Sequence, residues 1–169
     1  MSNYLKLVGN NAAKAFKSKI STDLKNKVLN KFSQLIKKNK KKIINQNKKD
    51  INFAKKIGLK KNLIERLEIN NNKLDEIIES VRKIAKLKDP ADIVLSKWKR
   101  PNGLIIKRVT VPIGVVAVIY ESRPNVTSDI SSLCFKSGNC VILRGGSEAY
   151  FSNKLIADLF RNALSKYNI

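Results

Sequence analysis

The fold is decided by the run GVVAVIY (Gly114–Tyr120) and by a second apolar run, CVIL (Cys140–Leu143). The first run is rich in β-branched residues and has no polar alternation, which is typical of a strand buried on both faces. The residues between the runs, roughly 127–136, have a helical pattern, and a further helix is predicted from about residue 147 to 166. Strand, helix, strand and helix with short connections predict a βαβ crossover unit, and therefore a parallel sheet covered on both faces.

Two further strand-like runs precede this unit, Ile93–Trp98 and Leu104–Val111. They flank Lys99-Arg100-Pro101-Asn102-Gly103, in which proline fixes one backbone angle and Asn-Gly supplies the positive φ that a tight connection needs. This pattern predicts a β-hairpin. Because an isolated two-stranded ribbon is only marginally stable in water, we expect it to pack against another element or subunit.

Up to about residue 88 the apolar periodicity is helical. The second helix carries an apolar stripe formed by Leu24, Val28, Phe32, Leu35 and Ile36. The last one ends before Asp89-Pro90, since a proline disfavours a helical residue before it. The predicted helices cover residues 3–18, 22–42, 47–56, 63–67 and 72–88.

The length of 169 residues and the hydrophobic fraction of 43% are those of one ordinary globular domain. Histidine is absent, and the two cysteines do not have a zinc or iron–sulfur spacing, so no metal site is expected. The first residues hold no continuous apolar stretch, and Val111–Tyr120 is too short to span a bilayer. These features predict a soluble, cytoplasmic protein with reduced thiols and no membrane partner.

The chain is strongly basic, with 35 Lys and Arg residues against 13 Asp and Glu residues and a net charge of +22. A field of this sign attracts phosphates, so one interpretation is a basic protein that binds nucleic acid. The other is compositional, because lysine supplies most of the cations and the dense run Lys37–Lys42 is expected on the solvated side of a helix. Arginine among aromatic side chains, which base recognition favours, is not seen, so nucleic acid is the less favoured partner.

Parallel sheets bind ligands at the carboxyl ends of their strands, which selects two loops. Glu121-Ser122-Arg123-Pro124-Asn125 follows the first strand of the unit, and Arg144-Gly145-Gly146-Ser147-Glu148 follows the second. Neither loop matches a P-loop or a G-x-G-x-x-G fingerprint. We expect their polar groups to face a common crevice.

The segments VPIGVVAVIYESRPNVT (111–127), SLCFKSGN (132–139) and VILRGG (141–146) closely resemble the gamma-glutamyl phosphate reductase family of the aldehyde dehydrogenase superfamily. A looser resemblance includes GLKKNLIERL (58–67) and extends over nearly the whole chain. It implies an aldehyde dehydrogenase-like α/β fold in three parts. These are a helical N-terminal layer (1–90), an oligomerisation hairpin (91–111) and the first βαβα unit of an NADP-binding domain (112–169).

The resemblance also implies an activity. The family reduces L-glutamyl 5-phosphate with NADPH to L-glutamate 5-semialdehyde and phosphate, a step of proline biosynthesis. Its mechanism uses a cysteine thiolate that displaces phosphate to give a thioester, which then takes hydride. The family's chains are more than twice as long and carry this cysteine well downstream. We therefore expect this chain to be an N-terminal portion that is inactive by itself.

The chain's own cysteines are poor candidates for that nucleophile. Cys134 falls in the middle of a predicted helix, and Cys140 begins a predicted buried strand. Neither has a histidine or a cluster of cations placed to lower the pKa of its thiol. Both are predicted to be buried structural residues.

Cofactor contacts are implied for the loop after the second strand. Arg144 stands where the superfamily usually has a lysine that contacts the adenosine ribose, and a guanidinium there would hold the 2′-phosphate of NADPH. The alternative is an arginine paired with Glu148 at a helix start. Gly145 and Gly146 let the backbone approach the ligand or serve as turn glycines. Ser147 and Glu148 are further candidates for the ribose contact.

Substrate contacts are implied for the other loop. Asn125 resembles the superfamily asparagine whose amide stabilises the oxyanion, and the alternative is an amide that caps the following helix. Arg123 is expected to meet the acyl phosphate or the substrate carboxylate, or else to be simply solvent-exposed. The hairpin with Trp98 matches the arm through which aldehyde dehydrogenases associate, which implies a homo-oligomer. A third interpretation is a non-catalytic pseudoenzyme subunit that binds NADPH or docks on a partner.

Overall fold

A computed structural model describes residues 3–169, so Met1 and Ser2 of the predicted helical layer lie outside the described residues. The helices are α1 (Asn3–Phe16), α2 (Thr22–Lys38), α3 (Lys40–Lys56), α4 (Lys61–Leu67), α5 (Asn71–Lys86), α6 (Pro124–Lys136) and α7 (Tyr150–Ser165). The strands are β1 (Val94–Lys99), β2 (Ile105–Val109), β3 (Val115–Tyr120) and β4 (Cys140–Gly145). A 3₁₀ turn, Ser147–Ala149, joins β4 to α7.

The core lies where α2, α5, α6 and α7 meet. Val28, Phe32 and Ile36 of the predicted α2 stripe are buried there, and the ring of Phe32 packs edge-on against Phe160 of α7 with centroids 4.9 Å apart. Burial of such side chains removes apolar surface from water, which is the main stabilising term of the fold. Helix α5 also buries one apolar face, formed by Leu74, Ile77, Ile78, Val81, Ile84 and Ala85, whereas Leu87 follows α5 and is exposed.

The boundary between α2 and α3 differs from the prediction. One helix was expected to reach Lys42 and another to begin at Asn47, whereas the structure has a break at Asn39 and a continuous α3 from Lys40. The Asn39 side chain donates to the carbonyl of Leu35 at 2.8 Å, and its backbone N–H donates to Leu35 and Ile36. Asn39 thereby satisfies carbonyl groups that a helix C-terminus leaves without partners.

The crossover unit is confirmed. β3 and β4 pair in parallel, with Val115 opposite Cys140 and Tyr120 opposite Gly145, and α6 connects them. The prediction that the first strand is buried on both faces is wrong, because Val115, Ala117 and Ile119 face solvent while the alternate residues are half-buried. Helix α1 contacts both β3 and β4 but does not bury these three side chains.

The hairpin is confirmed as an antiparallel pair, β1 with β2, in which Trp98 lies opposite Ile106. Gly103 in its connection has φ +86°, which a residue without a Cβ adopts at little cost. Nearly all of its side chains are exposed. Over residues 3–169, no helix combines the length and the apolar character that crossing a membrane requires.

Candidate functional site at the carboxyl ends of β3 and β4

The two loops predicted to share a crevice are in direct contact. Oε1 of Glu148 accepts a hydrogen bond from the backbone N–H of Ser122 at 2.8 Å and one from the Ser122 hydroxyl at 3.0 Å. Ser122 follows β3, and Glu148 lies in the 3₁₀ turn after β4. The parallel register of the strands brings their carboxyl ends to the same edge, as expected for such a sheet.

The carboxylate of Glu148 is held in its ionised form. Burial raises its pKa, but hydrogen bonds from the backbone N–H groups of Glu148 and Ser122 and from the Ser122 hydroxyl, together with the charge of Arg144, outweigh burial. The pKa of Glu148 is therefore lowered from its ordinary value. Ser122, which donates two of these bonds, is buried and has φ +34°.

Arg144 is the penultimate residue of β4 and has an exposed side chain. Its Nη1 atom donates to the carbonyl of Gly145, so the guanidinium lies over the loop rather than in the predicted ion pair with Glu148. It does contribute electrostatically to lowering the Glu148 pKa. The remaining N–H groups of Arg144 stay available for an anion, which is the property that phosphate recognition needs.

Gly145 and Gly146 leave space that other side chains occupy. A Cβ at Gly145 would lie 2.3 Å from Nδ2 of Asn153, and one at Gly146 would lie 2.1 Å from Oε1 of Glu148. Neither glycine has the positive φ that would make it an obligatory turn glycine. Close packing of protein groups is thus a sufficient reason for both residues, and the predicted approach of a ligand to their backbone stays a prediction.

A hydrogen-bond chain lies beneath this edge of the sheet. The hydroxyls of Tyr120 and Thr127 are 2.6 Å apart, and Thr127 donates to Oδ1 of Asn153 at 3.0 Å, which makes Tyr120 the donor to Thr127. Burial raises the pKa of Tyr120, and the hydrogen bond with Thr127 partly opposes it. No pattern in the sequence predicted these hydrogen bonds, because they join a strand to helices that follow later in the sequence.

Asn125 lies in the first turn of α6, and its Nδ2 atom donates to Oδ2 of Asp129 at 3.3 Å. The alternative that Asn125 caps this helix is wrong, because α6 begins at Pro124, earlier than predicted, and Arg123 occupies the cap position. Proline is favoured at the first position of a helix, because the N–H group that it lacks would have no partner within the helix. The oxyanion assignment stays a prediction. Arg123 is exposed and makes no ion pair within residues 3–169.

An open cavity of about 300 Å³ borders Asn125. Asp129 also faces this cavity, and its Oδ1 atom accepts a hydrogen bond from the hydroxyl of Ser80 on α5 at 3.0 Å. Lys73 and Arg66 also line the cavity. The sequence analysis did not select Asp129, Ser80, Lys73 or Arg66 as site residues, because each lies at an ordinary polar position of its helix.

Asp50 was also missed, although it positions the loop after β4. It lies on α3, and its carboxylate accepts the N–H groups of Phe151 at 2.9 Å and Ser152 at 2.8 Å in the first turn of α7. Burial raises the pKa of Asp50 despite these hydrogen bonds. The signal was present in the sequence, because Asn47 and Asp50 fall on the otherwise apolar stripe that runs from Ile43 to Ala54.

The two cysteines are half-buried rather than fully buried, so that part of the prediction is wrong. Burial raises the pKa of both thiols, and the neighbouring Cys140 raises that of Cys134 further. A raised pKa leaves little thiolate at neutral pH, which agrees with a structural function. In the part of the chain that the structure describes, no group of three or more His, Cys, Asp or Glu residues is arranged to hold a metal ion.

Comparison with known proteins decides the family. The gamma-glutamyl phosphate reductase of Hydrogenobaculum sp. (strain Y04AAS1) is 49% identical over 150 residues, which are 89% of this chain and 34% of the relative. The crystal structure of the same enzyme from Thermotoga maritima is 40% identical, with a TM-score of 0.89 over 93% of this chain and 38% of that one. The chain belongs to the gamma-glutamyl phosphate reductase family.

The Saccharomyces cerevisiae gamma-glutamyl phosphate reductase has a TM-score of 0.92 and 32% identity, covering 99% of this chain and 43% of that one. A putative aldehyde dehydrogenase from Bacillus subtilis, at 19% identity and a TM-score of 0.67, has the same fold over 95% of this chain and 33% of its own. No family model matches. The chain thus spans little more than a third of the length of these reductases.

Membership of the reductase family agrees with the predicted aldehyde dehydrogenase-like α/β fold, in which the parallel β3–β4 unit and the hairpin both occur. It does not favour the interpretation as a nucleic-acid-binding protein. The lysine run at residues 37–42 instead spans the junction of α2 and α3, where Lys40 pairs with Asp75 and the others are mostly exposed.

Proposed function

We propose that this chain takes part in the NADPH-dependent reduction of L-glutamyl 5-phosphate to L-glutamate 5-semialdehyde and phosphate, a step of proline biosynthesis. The observation that carries the proposal is its 49% identity, over 89% of its length, to a gamma-glutamyl phosphate reductase. The chain supplies the first strands of the cofactor-binding sheet and the two loops at their carboxyl ends.

The cofactor side of the site is the loop after β4. The aldehyde dehydrogenase superfamily uses a nicotinamide cofactor, which supplies the hydride when bound. The exposed guanidinium of Arg144 fits the 2′-phosphate of NADPH, and the exposed hydroxyl of Ser147 is placed in the same loop. Gly145 and Gly146 shape this loop by admitting Asn153 and Glu148, and their backbone borders the ligand.

The substrate side is the loop after β3. Asn125 has two amide hydrogens, one of which is directed at Asp129, and the other is assigned to the oxyanion that forms during acyl transfer. The exposed Arg123 is assigned to the acyl phosphate or the substrate carboxylate. Because burial raises the pKa of both thiols of this chain, neither is assigned as the nucleophile, and turnover by these residues alone is not expected.

The three predicted parts have corresponding assignments. We assign residues 1–90 to the helical layer, 91–111 to the association arm and 112–169 to the first unit of the NADP-binding domain. The hairpin exposes apolar side chains on both of its faces, including Val94, Leu95, Trp98, Ile105 and Val109, which suits burial against a second copy in a homo-oligomer.

The proposal is tested by titrating the chain with NADPH and with NADH by calorimetry. We expect saturable binding of NADPH, and the variant Arg144→Ala should weaken it by about tenfold or more, the effect of one lost charge-assisted hydrogen bond. NADH lacks the 2′-phosphate, so the same variant should barely change its affinity.

Arg108→Ala is the matched control, since it removes the same charge from the exposed hairpin. An equal effect of both variants would mean that net charge, not a site at Arg144, attracts the cofactor. No saturable binding of NADPH by the unaltered chain would contradict the proposal.

A further inference from the structure

One side-chain oxygen joins the two loops of the proposed site. Oε1 of Glu148 accepts both hydrogen bonds that Ser122 donates to it, at 2.8 Å from the backbone N–H and at 3.0 Å from the hydroxyl. Both are bonds to an ionised acceptor, which are stronger than bonds between neutral groups. Oε1 is therefore committed to the protein itself.

The surroundings of this contact are fitted to it. Glu148 reaches Ser122 across Gly146, where a Cβ would lie 2.3 Å from Oε2 and 2.5 Å from the carboxyl carbon. Ser122 has φ +34° and is only 4% exposed. A left-handed conformation in a residue other than glycine is unfavourable and persists only where neighbouring contacts hold it. The Glu148 carboxylate supplies such contacts.

Ser122 directly precedes the residues assigned to the substrate side of the site. The next residue in the chain is Arg123, which precedes Pro124 at the start of α6, and Asn125 follows in the first turn. A displacement of Ser122 therefore moves both residues assigned to the substrate side. Glu148, in contrast, belongs to the loop assigned to the cofactor.

We propose that Glu148 is a positioning residue that acts through Ser122 and holds the β3–α6 loop against the β4–α7 loop. This assignment replaces the expected direct contact of Oε1 with the cofactor ribose. The inference rests on the proposed function for its consequence in catalysis, whereas the contact itself does not depend on that function.

The test compares Glu148→Ala, Glu148→Gln and the matched control Glu121→Ala in the whole chain. Glu121 is a glutamate of the β3–α6 loop with an exposed side chain, so its removal changes the net charge equally. The first measurement is amide hydrogen exchange of residues 121–123 by NMR without ligand. The second is the affinity for NADPH.

We expect Glu148→Ala to speed exchange of the Ser122 amide by about tenfold or more, since it loses its acceptor. Glu148→Gln keeps a side-chain oxygen and should remain within about threefold of the unaltered chain, because a neutral acceptor is weaker but present. Glu121→Ala should change nothing. The affinity for NADPH should follow the same order, with Gln restoring what Ala loses.

Unchanged exchange in Glu148→Ala would overturn the inference. If that variant does not fold, Ser122→Ala, which loses only the hydroxyl bond, should speed exchange of the loop amides by about threefold, and no change in their exchange would overturn the inference.

If Glu148→Gln lowers the affinity for NADPH as much as Glu148→Ala does, while amide exchange is unchanged, Glu148 contacts the cofactor directly and the inference is wrong. If the unaltered chain binds no NADPH while the exchange pattern holds, the proposed function fails and the contact stands.

Discussion

Asp50 and Ser152 are 102 residues apart in the chain, yet Oδ2 of Asp50 accepts both the backbone N–H of Ser152 at 2.8 Å and its hydroxyl at 2.5 Å. Asp50 on α3 thus caps the N-terminus of α7, as a local N-cap residue would do in other helices. Because α7 directly follows the β4 loop, the helical part of the chain fixes the site loop through a buried carboxylate.

Asp50→Ala is expected to destabilise the fold by about 2–4 kcal/mol, because it leaves two backbone donors and a hydroxyl without a partner in a buried place. Urea denaturation followed by circular dichroism measures the change. Asp75→Ala, which removes an exposed carboxylate, is the control. Equal stability of the two variants would mean that solvent replaces Asp50 at the end of α7.

The ion pair of Lys25 with Asp89 is expected to matter far more than that of Lys40 with Asp75. Its atoms are 2.8 Å apart, and the two side chains are only 6% and 13% exposed, whereas the side chain of Asp75 is 63% exposed. Asp89→Asn leaves a buried ammonium unpaired and should cost about 3–5 kcal/mol. Asp75→Asn should cost about 0–1 kcal/mol, and similar losses in the two variants would contradict this ranking.

The same pair predicts a pH dependence. Burial raises the pKa of Asp89, but hydrogen bonds from Lys25, the Ala91 N–H and Thr22 outweigh it, so the pKa is lowered from its ordinary value of 3.8. The ionised form therefore stabilises the fold above pH 3.8, and this stabilisation is lost as the pH falls through the lowered pKa. Acid titrations of stability should show a shallower loss below that pH in Asp89→Asn, and parallel curves would count against the prediction.

Cys134 and Cys140 are expected to react slowly with iodoacetamide at neutral pH. Burial raises the pKa of both thiols from the ordinary value of 9.0, and only the thiolate reacts. Labelling followed by mass spectrometry should be slower by about tenfold or more than in the denatured chain, where burial no longer raises the pKa of the thiols. Rapid labelling of one of them in the folded chain would reopen its assignment as a nucleophile.

Association through the hairpin is tested by Trp98→Ser, since Trp98 is 45% exposed and is the largest side chain of β1. We expect the chain to sediment as an oligomer and the variant to shift toward the monomer. Lys99→Ser on the same strand is the control and should leave the sedimentation unchanged. If the unaltered chain sediments as a monomer, the hairpin is not sufficient for self-association of this chain.

Much of the fold could be predicted because it follows from local patterns. The order β3, α6, β4 and α7 came from two apolar runs, and the hairpin came from Pro101-Asn102-Gly103. Other boundaries were misplaced for identifiable reasons. The break at Asn39 lies within a run of lysines that favours helix throughout, and the early start of α6 required Pro124 to be recognised as its first residue.

The sequence by itself determined the secondary structure, the apolar stripes and the two loops that carry the candidate site, because strand and helix periods fix which residues share a face. Only the tertiary structure decided which polar groups meet. The contacts of Ser122 with Glu148, of Thr127 with Asn153 and of Asp50 with Ser152 join separate elements. Such pairs depend on how the crossover sets strands and helices against one another, and a pattern within one element does not contain that information.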